Sequence, residues 1–98
     1  MELFRALEEI FTQIENSFDP IYVFSIAQRP YSMLNHYQKS FGAWIERPYL
    51  TPDSDLLKLF VERNVVCIKD MSAYVLRSFY IYIHEKYKRY TVSTYFHL

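Results

Sequence analysis

The chain is 98 residues long, 51% hydrophobic, 22% charged and 19% aromatic, with 11 basic and 11 acidic side chains and no net charge. That composition suits one folded domain, 1–98, and excludes a largely disordered chain or a global basic field for nucleic acid or anionic membrane. Single copies of glycine (Gly42) and cysteine (Cys67) further exclude glycine-rich phosphate loops, an intrachain disulfide and a cysteine-based zinc site, and disfavour a sheet-rich fold with many hairpins.

Leu3, Phe4, Leu7, Ile10, Phe11, Ile14 and Phe18 fall within an arc of roughly 120° at ~100° per residue, which predicts an amphipathic first helix. Arg5, Glu8, Glu9, Thr12, Glu15 and Asn16 fill its polar side. Asp19-Pro20 stops it, because the residue before proline avoids the α region. Residues 21–27 (IYVFSIA) are rich in β-branched and aromatic types and read as a short buried strand. The rival reading is a short helix capped by Asp19 with Pro20 at its first position. Arg29-Pro30 ends the run either way.

Leu34, Tyr37, Phe41, Trp44 and Ile45 recur at helical spacing between Ser32 and Glu46, with Gly42 a weakness of about 1 kcal/mol against alanine. Arg47-Pro48 is expected to close that helix. Thr51 can cap the next one, with Pro52 at its first position and Asp53 and Asp55 matched to the N-terminal dipole. It should run through Leu56, Leu57, Leu59, Phe60 and Val61 to about Arg63. Residues 65–69, centred on VVCI, read as a second short strand.

Asp70 is a candidate cap for a last helix from Met71 to about Arg89. Val75, Leu76, Phe79, Tyr80, Tyr82, Ile83, Tyr87 and Tyr90 share its broad face, with Arg77, His84 and Lys88 on the other. Phe79, Ile81 and Ile83 also alternate with Tyr80, Tyr82 and His84. A hairpin of 79–85 with 89–96 about Lys86–Lys88 is therefore the alternative, weakened by the absence of a turn residue there. The expected fold class is mainly α (α+β): three to four helices around one core with one or two short strands.

Catalytic chemistry has little support. Asp53 and Asp55 would project about 200° apart from one helix and could not share an ion. Cys67 lies in an apolar run and reads as a small buried hydrophobe. His36, His84 and His97 lack metal-ligand spacing, and His84 is expected in solvent. No serine sits in a nucleophile elbow. No cofactor motif is present, so the chain is not expected to be an enzyme.

The strongest functional signal is C-terminal. Six of the ten tyrosines fall there, Tyr74, Tyr80, Tyr82, Tyr87, Tyr90 and Tyr95, and tyrosine suits a surface that is alternately wet and covered. Residues Tyr80, Tyr82, Tyr87, Tyr90 and Arg77 are the candidate protein interface. The aromatic content exceeds what a small two-layer core should hide, which predicts a homodimer burying that face. Arg77, Lys86, Lys88 and Arg89 are candidate nucleic-acid contacts in the alternative reading, with tyrosines stacking on bases.

Short length, one glycine and heavy Tyr, Phe and Ile usage resemble small proteins of phages and archaeal viruses. That resemblance implies a protein that binds a host factor; it is one of composition and assigns no residues. Charged residues in the first turns are wrong for a signal peptide, and no apolar run reaches the ~18 residues of a membrane span. A soluble protein in the reducing cytoplasm, without membrane association, is the expectation.

Overall fold

A computed structural model describes residues 2–87, which form five α-helices and one 3-10 segment: α1 (Glu2–Ser17), α2 (Pro20–Gln28), the 3-10 segment Tyr31–His36, α3 (Gln38–Tyr49), α4 (Asp55–Glu62) and α5 (Ile68–Tyr87). Mainly-α holds, and neither expected strand is present among the described residues.

Residues 20–28 are helical because their start is built as a cap. The Asp19 carboxylate accepts the Ile21 N–H at 2.7 Å, and Pro20 supplies a preset φ where no N–H is needed. Val23, Phe24, Ile26 and Ala27 are all buried. A helix covered on most sides shows no clean period, so β-branched content alone pointed to a strand.

The helix expected over 32–46 is split and shifted. Met33 N–H bonds to Pro30 O and Tyr37 N–H to Leu34 O, both at 2.9 Å, the i to i+3 pattern of a 3-10 turn. The α-helix then begins at Gln38 and passes through Pro48 to Tyr49. A proline one residue from the end removes only one N–H, and the Leu50 N–H still reaches Glu46 O at 3.2 Å. The next cap is Ser54, not Thr51: its Oγ accepts the Leu57 N–H at 3.1 Å.

Where the second strand was expected, α4 closes with a Schellman motif. Asn64 takes a left-handed φ of 65°. Its N–H bonds to Val61 O at 2.9 Å and the Val65 N–H to Phe60 O at 3.0 Å, which satisfies the last carbonyls of α4. The chain then crosses the surface, so Cys67 is exposed rather than buried. The last helix begins at Ile68, two residues before Asp70, which lies in its first turn. It is helical through Tyr87, so the hairpin is absent there; residues 88–96 of both readings lie outside the described residues.

The central element is α5, packed against α1, α2, α3 and the 3-10 segment, while α4 leans on α1. Its buried residues Met71, Ser72, Val75, Leu76, Phe79, Tyr80, Ile83 and Tyr87 cover a broad arc. Phe79 is fully buried, with ring centroids 5.8 Å from both Phe11 of α1 and Phe41 of α3.

Among the described residues, most aromatic side chains pack within the single chain. Phe11, Phe24, Phe41, Phe60, Phe79, Tyr80 and Tyr87 are buried; Phe18, Tyr22, Tyr37, Trp44, Tyr49 and Tyr82 are half-buried. Among the described residues only Phe4, Tyr31 and Tyr74 remain exposed aromatics.

Candidate functional site

Tyr80, Tyr82 and Tyr87 of α5 tie the helices together through their hydroxyls. Glu15 of α1 receives Tyr82 Oη and Tyr87 Oη, each at 2.8 Å, and Lys86 Nζ at 3.1 Å. Burial alone would raise the Glu15 carboxyl. The bonds from Tyr87, Tyr82 and Lys86, with the Lys86 charge, outweigh it and hold the group below its ordinary value. Burial, and then the bond to Glu15, raise the Tyr82 hydroxyl above its ordinary value. The Lys86 ammonium also lies 5.3 Å from the Tyr87 ring centre, a cation–π contact that holds it over the cluster.

Two further ties join α5 to the C-terminal end of α2. Tyr80 donates its hydroxyl hydrogen to Arg29 O. His84 Nδ1 lies 2.9 Å from Ala27 O; a carbonyl only accepts, so the proton sits on Nδ1. His84 is half-buried and stacked on Tyr80, not solvated.

A third polar cluster joins α5 to α3. Fully buried Ser72 donates to Glu46 Oε2 at 2.9 Å and accepts from Gln38 Nε2 at 3.2 Å. A Cβ at Gly42 would lie 3.0 Å from Gln38 Nε2 and 3.3 Å from Ser72 Oγ. The single glycine therefore makes room for this cluster and is more than a tolerated weakness.

Outward-facing apolar surface converges elsewhere. Phe4 and Ile81, 61% and 57% exposed, rim a groove of about 360 Å³ between α1 and α5, with Tyr74 beside them and Leu7 and Phe11 as its floor. The two helices run the same way, with Phe4 and Tyr74 at one end of their contact and Glu15 and Tyr87 at the other. A larger concavity, about 610 Å³, over Trp44, Arg47, Pro48 and Tyr49 is shallow. The α1–α5 groove is the better site, because its walls are mainly apolar and it lies between two long helices.

The described members of the set singled out in the sequence do not share one surface. Tyr80 and Tyr87 are buried, Tyr82 is half-buried with its hydroxyl on Glu15, and Arg77 is exposed. Arg77 and Lys86 are nine positions apart, about half a turn out of phase on one helix, so they present no common basic stripe. Tyr90, Lys88 and Arg89 lie outside the described residues. Phe4, Tyr74 and Ile81 were missed as a group; Ile81 on the polar side of a helical wheel was the signal that could have found them. No group of His, Cys, Asp or Glu that could hold a metal exists among the described residues. No described helix is long and apolar enough to cross a membrane. Comparison with protein-family models, curated proteins and solved structures finds no match.

Proposed function

We propose that this is a non-enzymatic protein-binding module, and that its working surface is the groove between α1 and α5. The observation that carries this reading is a division of labour among large side chains. Most described aromatics are spent on the core or on internal ties, and of the exposed large apolar side chains Phe4, Tyr74 and Ile81 gather around one groove, while Ile21, Tyr31, Val61, Val66 and Ile68 lie outside its lining. Clustered exposed apolar residues favour a partner surface; scattered ones need no explanation. Action on a host factor, as the compositional resemblance implies, is one setting for such a module.

Self-association through the same groove is the homodimer form of this proposal. A mass of twice 11.9 kDa by light scattering, halved by Ile81→Glu, would establish it. Nucleic-acid binding has less support. Arg77 is exposed and makes no ion pair with another described residue, but Lys86 is held by Glu15 at 3.1 Å.

The test pairs a peptide-display selection with a mobility-shift titration. Binders lost on Ile81→Glu, with no nucleic-acid shift, support the proposal. Binders indifferent to Ile81→Glu would sink it. A salt-sensitive shift abolished by Arg77→Glu would put nucleic acid first.

A further inference from the structure

We infer that a small polar cleft between α5 and the 3-10 segment is a second binding site, for one oxyanion group, a phosphate or a carboxylate. It shares no lining residue with the α1–α5 groove, so it stands apart from the reading of that groove. Buried Leu34 and Leu76 form its floor, Ser32, Asn35 and Gln38 one wall, and Arg77 of α5 the other. Its volume of about 130 Å³ is the liquid share of roughly four waters, room for one such group and not for a peptide segment.

Arg77 is the only charged group lining the cleft. It is exposed and makes no ion pair with another described residue. The side chains of Ser32 and Asn35 bond to no other described residue. Gln38 is fixed from behind, its Nε2 donating to Ser72 Oγ at 3.2 Å. A guanidinium fork, a hydroxyl and an amide therefore line one small space, and all three can donate to oxygen. Two acids on the neighbouring elements do not cancel this charge. Glu46, beyond Ser72, is engaged by Lys69 at 3.1 Å, and Asp70 lies about 10 Å along the α5 axis from Arg77. Other cations on concave surface differ. Lys86 faces Glu15, Arg5 and Lys58 share their concavity with Glu9, Asp55 and Glu62, and Arg47 lies on the shallow face of α3.

An NMR titration of the isotope-labelled full chain tests the inference, with inorganic phosphate and acetate as separate probes at constant ionic strength, so that general screening is held fixed. Saturating shifts confined to the backbone amides of 31–38 and the Arg77 side chain support it, and the probe that saturates first names the source of the oxyanion. Arg77→Gln should weaken binding by roughly tenfold or more, as expected for a charge-assisted bond, and Asn35→Ala by about threefold. Shifts that stay linear with both probes, or that spread equally to Arg47 and Lys58, would overturn the inference. So would binding indifferent to Arg77→Gln. Loss with Arg77→Gln but none with Asn35→Ala or Ser32→Ala would reduce the cleft to a lone surface cation and also overturn it.

Discussion

Glu15 sits on the side of α1 that periodicity marks as solvent, yet its side chain is only 13% exposed. What covers it is the far end of α5, more than sixty residues on in sequence. A helical wheel reads one helix at a time and cannot see this, so the acceptor of Tyr82 and Tyr87 was not legible in the sequence. The depressed Glu15 carboxyl fixes a pH dependence. A carboxylate lowered on folding contributes stability above its unfolded value, near 4.5, and loses it as pH falls through the folded value. Urea unfolding of Glu15→Gln should show about 1–2 kcal/mol less stability at neutral pH. Its stability should also fall less between pH 6 and pH 3.5 than that of the wild type. Parallel pH profiles would contradict the assignment.

Gly42 is a second residue whose role needed the neighbouring helix. Alanine there gains about 1 kcal/mol of helix propensity. It also drives a methyl against the Gln38–Ser72 pair, and overpacking a close contact costs about 1–3 kcal/mol. Ser72 is fully buried, and the added Cβ would stand 3.3 Å from its Oγ. Gly42→Ala should therefore be destabilising by about 1 kcal/mol net in urea; a stabilised variant would show that the cluster relaxes freely.

At the scale of elements, α1 was legible because one face meets the core and the other meets water. The segments called strands were misread for two different reasons. Residues 20–28 are apolar nearly all round, so composition outweighed the Asp19-Pro20 start. Residues 65–67 are a connection, and the deciding residue is Asn64 just before them, whose left-handed backbone turns the chain out of α4. Asn64→Ala should cost about 1 kcal/mol, while Asn64→Gly should cost nothing measurable, since glycine enters the left-handed region without strain. Equal losses in both variants, measured by urea unfolding, would mean that the Asn64 side chain and not its backbone matters.

Across the whole molecule, α5 is the organising feature, bound through side chains to α1, α2 and α3. The sequence correctly flagged this segment as the dense, tyrosine-rich part of the chain. Interface and interior were confused because tyrosine serves both: its ring buries and its hydroxyl finds a partner, whether that partner is another protein or Glu15. The candidate surface shifts accordingly, from the tyrosines to Phe4, Tyr74 and Ile81.

The most direct test of that division is paired urea unfolding of Tyr87→Phe and Ile81→Glu. Tyr87→Phe removes a charge-assisted bond in a buried position and should lose about 1.5 kcal/mol. Ile81→Glu changes a mostly exposed side chain and should stay within about 0.5 kcal/mol of the wild type. The reverse order, a neutral Tyr87→Phe with a strongly destabilised Ile81→Glu, would place the groove in the core and the tyrosines on the surface, and would contradict the account.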